Sequence, residues 1–293
     1  MTDGIPARVR IVEVGPRDGL QNEDALVPAE AKVAFVEALA AAGLPVVEVT
    51  SFVSPRAIPQ LADADDVFPR VRRMPGVRYP VLVPNMRGME RAERAGADAV
   101  AVFTAASEAF NERNIGMTIA QSLRAFEPVL ERAAALGWWR RGYVSTAFGC
   151  PYSGAVDPAR VVEVCDALLE LGCDEISVGD TIGIAEPGDV RTVCDALLDR
   201  LPLERLALHL HDTHGRALDN VRAGLERGIS IYDSSAGGTG GCPFAPGAPG
   251  NLATESLCAM LDRLGIEHGV DADRVAEAAL ALRARMTAPP AAG

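Results

Sequence analysis

Two histidines one residue apart, His209 and His211 in the run Leu206-Ala-Leu-His-Leu-His211, give the sharpest chemical spacing in the chain. Alternate residues of a β-strand share a face, so both imidazoles would enter one space while Leu210 packs behind them. Paired imidazoles beside a carboxylate point to a metal; the plainer alternative is a pair of hydrogen-bonded interior histidines. Asp18 and the side-chain oxygen of Asn251 are available to complete the set Asp18, His209, His211 and Asn251. Two nitrogen and two oxygen donors, with room for substrate oxygens, suit a labile Mg²⁺ or Mn²⁺ rather than a closed structural zinc. His214, three residues further on, reads as a loop residue.

Arg17 stands beside Asp18, and its guanidinium cannot lose its charge. It could steady an oxyanion or simply form a salt bridge with Glu48. Glu48 and Asp180 each read either as a base or as an ion-pair partner, and the choice between them stays open. Between Asp233 and Asn251 one thiol, Cys242, sits among glycines and three prolines, Pro243, Pro246 and Pro249. Such a run costs backbone entropy to order and forbids regular ladders. It reads as a lid carrying a reactive group, or else as a long surface connection whose cysteine is incidental.

Composition narrows the classes. A net charge of −12 over 293 residues argues against the general basic face that nucleic acid or an anionic membrane requires, and leaves room for a local arginine pocket for an anionic small molecule. Six cysteines, none in a CxxC pair, fit a reducing compartment and a cytoplasmic setting. No run approaches a membrane span or a targeting signal. Lys32 is the only lysine and falls early in a predicted helix, which argues against Schiff-base and pyridoxal phosphate chemistry.

These groups need a scaffold, and the alternation of short apolar runs with helical patterns supplies one. Strands are predicted at Val9–Val14, Val46–Thr50, Tyr79–Val83, Ala99–Phe103, Gly142–Ala147, Glu175–Val178, Leu206–Leu210 and Ile229–Tyr232. Helices follow them, most clearly Pro28–Ala42, Pro158–Leu171 and Asp189–Leu201, with a kink or break expected at Pro128 between Thr118 and Leu136. The pattern predicts an α/β fold, a single (β/α)8 TIM barrel over residues 1–293. An open doubly wound sheet is the alternative, weakened because no GxGxxG follows the first strand. Helices near Leu252–Leu264 and Asp271–Arg285 come after the lid, with 266–293 as a C-terminal helical extension. In such a barrel, chemistry belongs at the C-terminal ends of the strands. Arg17, Asp18, Gln21, Glu48, Ser51, Asn85, Ser177, Asp180, His209, His211 and Asp233 all gather there.

With these residues placed, the chain resembles the 3-hydroxy-3-methylglutaryl-CoA lyase family, within a superfamily of metal-dependent lyase and condensing-enzyme barrels. The resemblance rests on Val12-Glu-Val-Gly-Pro-Arg-Asp-Gly-Leu-Gln-Asn22, Val49-Thr-Ser-Phe-Val-Ser-Pro55, Gly142-Tyr-Val-Ser, Gly149-Cys-Pro-Tyr152, Gly179-Asp-Thr-Ile-Gly183, His209-Leu-His-Asp-Thr213, Gly240-Gly-Cys-Pro243 and Gly250-Asn-Leu-Ala-Thr-Glu255. The Arg-Asp-Gly and HxH pieces alone mark only the superfamily; the cysteine lid singles out the lyases. The resemblance implies that Asp18, His209, His211 and Asn251 hold a divalent metal, Arg17 stabilises an enolate and Cys242 acts as acid/base. It implies that Glu48, Ser51, Ser177 and Asp180 contact the acyl end of an acyl-CoA substrate, and that Asn114 lies near the CoA portion; Gln21 joins them as a substrate contact. His209 is counted with the catalytic groups as well as the ligands. It implies cleavage to acetyl-CoA and a 3-oxo acid such as acetoacetate, a setting in leucine breakdown, and a homodimer. Two departures, the stretch Ala236–Thr239 and His214 in place of a tyrosine, bear on the acyl group rather than the reaction. The competing expectations are an acetyl-CoA-dependent enzyme condensing a 2-oxo acid, and a catalytically silent acyl-CoA-binding protein.

Overall fold

The computed structural model describes residues 4–241 and 250–286. Nine parallel strand segments form one sheet: β1 Arg10–Glu13, β2 Val46–Val47, β3 Thr50–Ser51, β4 Val81–Leu82, β5 Ala99–Ala105, β6 Trp139–Ser145, β7 Glu175–Asp180, β8 Leu206–Leu210 and β9 Ile231–Ser234. Their order is β2-β1-β9-β8-β7-β6-β5-β4-β3. The two ends of that order are pieces of one predicted strand, parted only by Glu48 and Val49. Glu48 N donates to Glu13 O at 2.8 Å on one side and Val49 N donates to Pro80 O at 3.0 Å on the other. The sheet therefore returns on itself as a barrel, with β2 and β3 sharing a single strand position.

Several boundaries differ from expectation. β4 is two residues long because Pro80 and Pro84 bracket it and neither can donate to a ladder. β6 starts three residues before the predicted Gly142, since Trp139 to Arg141 pair with Ala99 to Ala101. β9 is displaced forward to Ser234 by its pairing with Arg10 to Glu13. The helix Ile119–Ala135 runs through Pro128 rather than stopping there. Pro128 and Arg124, whose carbonyl loses its partner, both face solvent, so water can satisfy that oxygen.

Helices cover the outside. Ala29–Ala41 (α1), Ala64–Arg70 (α2), Met86–Ala95 (α3), Glu108–Ile115 (α4) and Ile119–Ala135 (α5) precede β6. Pro158–Glu170 (α6), Pro187–Leu198 (α7) and Ala217–Leu225 (α8) separate the later strands, and Thr254–Leu264 (α9) and Ala272–Arg283 (α10) follow β9. Their starts carry side-chain caps where the sequence supplies them: Asn85 accepts from Gly88 N, Asp157 from Ala159 N and Asp271 from Arg274 N. The main apolar core lies between strands and helices, and Val275, Ala278, Ala279 and Leu282 of α10 belong to it. Lys32 on α1 is buried, its ammonium held by Gln60 O and by Asp63 Oδ1. No helix of the described residues is long and apolar enough to cross a membrane.

Candidate active site

The run Gly-Pro-Arg-Asp-Gly leaves β1 in a tight π turn. The N–H groups of Arg17, Asp18 and Gly19 all point at Val14 O, at 3.1, 2.7 and 3.2 Å. Such a coil lifts Arg17 and Asp18 together over the barrel mouth. Its glycines are required by contact: a Cβ on Gly15 would lie 2.6 Å from Glu13 Oε1, and one on Gly19 would lie 2.9 Å from Thr239 O. His209 on β8 and His211 one residue beyond its end face the interior as their spacing predicts, and the chain returning before α9 pairs with the strand end. Leu252 N donates to Leu210 O at 3.1 Å and Asp212 N to Gly250 O at 2.6 Å, which sets Asn251 opposite His211.

Four expected ligands thus converge. His209 Nε2 lies 3.1 Å from His211 Nε2 and 3.9 Å from Asp18 Oδ2, and Asn251 Nδ2 donates to Asp18 Oδ2 at 3.0 Å. Asp18, His209 and His211 each direct one donor atom into a space where all lie within 4.8 Å of one another. A half-turn of the Asn251 amide would exchange its nitrogen for its oxygen, because the two ends are nearly the same shape. His209 Nδ1 lies 3.2 Å from Asp233 Oδ2. A proton held on Nδ1 leaves the Nε2 lone pair aimed into the site, the arrangement by which a carboxylate orients a metal-binding imidazole. The donor set fits a divalent cation.

Electrostatics agree. Burial would raise the Asp18 carboxyl, but Arg17 and the two histidines outweigh it and keep Asp18 ionised well below the usual carboxylate range. Burial, with His209 beside it, pushes His211 down to about 3, so it is a neutral imidazole. His209 rises despite burial because it bonds Asp233 and faces Asp18. Arg17 donates through Nε to Glu48 Oε2 at 2.8 Å and through Nη1 to Asp18 Oδ1 at 2.6 Å. The salt bridge and the cavity position expected of Arg17 therefore coexist.

A cavity of about 690 Å³ opens above these groups. Arg17, Asp18, Gln21, Asn114, Ser177, His209 and His211 line it, facing an apolar wall that includes Ile58, Phe103, Phe110 and Phe126. Other expected residues stand behind this surface. Ser51 Oγ is turned to Leu82 O at 3.3 Å. Asp180 accepts from Ile184 N and Ala185 N, both at 3.1 Å, and so shapes the loop after β7; burial raises it to about 6. Glu48 is fully buried, and burial raises it against the pull of Arg17 and Arg141. Its Oε1 has no hydrogen-bond partner among the described residues. Cys242 and residues 242–249 of the expected lid lie outside the described residues.

The structure adds residues that the sequence did not single out. Arg141, completely buried, donates to Glu175 Oε1 at 2.8 Å, to Tyr143 OH at 2.8 Å and to Asp233 Oδ1 at 2.6 Å. Tyr143 OH donates onward to Glu48 Oε2 at 3.0 Å, and its ring lies under Arg17. A continuous polar floor thus joins Arg17 to His209 through Glu48, Tyr143, Arg141 and Asp233. Period-two alternation of Arg141, Tyr143 and Ser145 was the available signal, and starting β6 at Gly142 concealed its first member. Thr181, also on the cavity wall, accepts from Thr146 N at 2.7 Å.

Comparison with known proteins gives one consistent result. The family model HMGL-like matches residues 8–281. A mitochondrial hydroxymethylglutaryl-CoA lyase of Rattus norvegicus is 51% identical over 274 residues, 94% of this chain and 84% of that protein. A cytoplasmic 3-hydroxy-3-methylglutaryl-CoA lyase of the same species is 50% identical over 275 residues, 94% and 80% of the two chains. The crystal structure of the HMG-CoA lyase from Brucella melitensis superposes with a TM-score of 0.93 at 50% identity, covering 94% of this chain and 98% of that one.

Proposed function

Because this chain belongs to the HMGL-like family, we propose that it is a divalent-metal-dependent carbon–carbon lyase cleaving 3-hydroxy-3-methylglutaryl-CoA, or a close 3-hydroxyacyl-CoA analogue, to acetyl-CoA and acetoacetate or the matching 3-oxo acid. The observation that carries this reading is the convergence of Asp18, His209 and His211 beside Arg17 on one cavity wall, in a chain half identical to named lyases. Asp18, His209, His211 and Asn251 would hold Mg²⁺ or Mn²⁺. When bound, such an ion supplies Lewis-acid chemistry that makes the substrate's C3 hydroxyl easier to ionise.

The remaining work falls to side chains. Loss of the hydroxyl proton turns C3 into a ketone and sends the C2–C3 electron pair onto the thioester as an enolate. Arg17, fixed by Glu48 and Asp18, presents a permanent positive charge to that oxyanion. Glu48, buried behind the wall, is assigned to take up the hydroxyl proton by way of the Tyr143 hydroxyl, which lines the cavity and donates to it, because Asp180 is engaged by loop N–H groups. Cys242 returns a proton to C2. Gln21, Ser177 and Asn114 bind the substrate along the wall, and Ser51 supports it from behind. All five cysteines of the described residues are free thiols, in keeping with a cytoplasmic setting; we assign a homodimer and a place in leucine breakdown on the same family grounds.

The test is acetyl-CoA release by the purified chain. Activity is expected to vanish with chelator and to return with Mg²⁺ or Mn²⁺, and Cys242→Ala is expected to lower kcat by about 10²-fold or more, the scale of a lost general acid. A metal-independent rate, or full activity in the alanine variant, would overturn the assignment.

A further inference from the structure

Glu13 ends β1 with no exposure to solvent, and no Lys, Arg or His among the described residues pairs with it. Its carboxylate is instead spread over three neutral donors from three segments. Oε1 accepts from Gly15 N at 2.8 Å and from Ala236 N at 2.9 Å; Oε2 accepts from Thr254 Oγ1 at 2.7 Å. Gly15 opens the turn that carries Arg17 and Asp18. Ala236 lies in the stretch that leaves β9 toward Cys242. Thr254 begins α9, three residues after Asn251, and its hydroxyl also meets Ser234 Oγ at 2.8 Å.

The segments around this carboxylate are interlocked. A Cβ on Gly240 would lie 2.8 Å from Gly19 Cα, and Ser235 Oγ donates to Thr239 O at 2.8 Å beneath Gly19. Burying a carboxylate without a cation is expensive, and an apolar side chain of similar size would fill the same volume at lower cost. Packing alone does not account for its presence; the three directional bonds do.

We propose that Glu13 is a positioning residue that holds the Arg17–Asp18 turn, the Asn251 arm and the root of the Cys242 segment in one fixed frame. This rests on the lyase reading only in taking those three pieces to work together. Glu13 lies outside both the cavity lining and the candidate ligand set, so its effect passes through Asp18 and Asn251.

Mn²⁺ affinity and steady-state kinetics of the full chain test this. Glu13→Gln keeps an oxygen for Gly15 and Ala236 but presents an N–H₂ to Thr254. Its Mn²⁺ affinity is expected to fall by about tenfold, the scale on which outer groups tune metal sites. Its kcat is expected to fall about tenfold while KM stays within about threefold, the signature of lost alignment rather than lost binding. A folded E13Q variant whose Mn²⁺ affinity and kcat both stay within about twofold of the parent overturns the proposal. Should E13Q fail to fold, Thr254→Val, which deletes one arm only, carries the test with the same readouts and the same overturning result. A parent chain that binds Mn²⁺ yet releases no acetyl-CoA would sink the lyase reading, leaving Glu13 to be judged on Mn²⁺ affinity alone.

Discussion

Asp233 receives more donors than its amide counterpart could serve. Ser177 Oγ, His209 Nδ1 and an Arg141 nitrogen all approach Oδ2, at 2.8, 3.2 and 3.2 Å, while Arg141 Nη2 holds Oδ1 at 2.6 Å. Arg141 outweighs burial and keeps this carboxyl at about 2, so it is ionised throughout the physiological range. Asp233→Asn leaves one accepting oxygen for these donors, and Arg141, which retains Glu175, competes best for it. The His209 ring then loses its fixed orientation. Mn²⁺ affinity is expected to drop by about 10- to 100-fold, read by calorimetric titration, and an unchanged affinity would show that Asp233 does not orient the imidazole. The convergence of the candidate ligands Asp18, His209 and His211 was legible because the histidines alternate along a strand and Asp18 stands at the end of another. Asp233 was placed at its strand end without its grip on His209, and Arg141 was missed, because both act by gripping other side chains, and a partner on a strand distant in sequence leaves no local pattern.

Among the elements, α5 carries a built-in weakness. Pro128 removes one backbone donor from the middle of a seventeen-residue helix, and the neighbouring structure tolerates it because that face is wet. Pro128→Ala restores the bond and is expected to stabilise the chain by about 1 to 3 kcal/mol, seen as a raised melting temperature; a lower one would mean that the ring packs in a way its exposure does not suggest. Helix positions were readable from apolar period and end signals, as Asp157 before α6 illustrates. Strand boundaries were less so. β6 and β9 begin and end where their neighbours supply ladder partners, and those neighbours are far away in sequence. The division of β2 from β3 has the same origin, since that one strand must bond both β1 and β4 to bring the sheet round.

At the scale of the whole molecule, the predicted barrel architecture is what the chain adopts, and the helices beyond the last strand are part of its packing. α10 lies across α1, with Val275, Ala278, Ala279 and Leu282 buried in the common core, while Arg283 reaches Gly237 O near the root of the Cys242 segment. The C-terminal helices were expected as an extension, and their apolar faces join the same core as the barrel helices. Positive charge on this protein is carried almost wholly by arginine, and the one exception, Lys32, is enclosed beneath the Gln60–Asp63 stretch. An acylating or glycating reagent therefore meets no accessible lysine on the folded surface, and Lys32 becomes a reporter of its own enclosure. Its modification by an N-hydroxysuccinimide ester, followed by mass spectrometry, is expected to track global opening; ready labelling at low denaturant would instead reveal a local breach over α1. Read at Lys32, apart from the α-amino group, the label gives the molecule a built-in chemical gauge of its integrity.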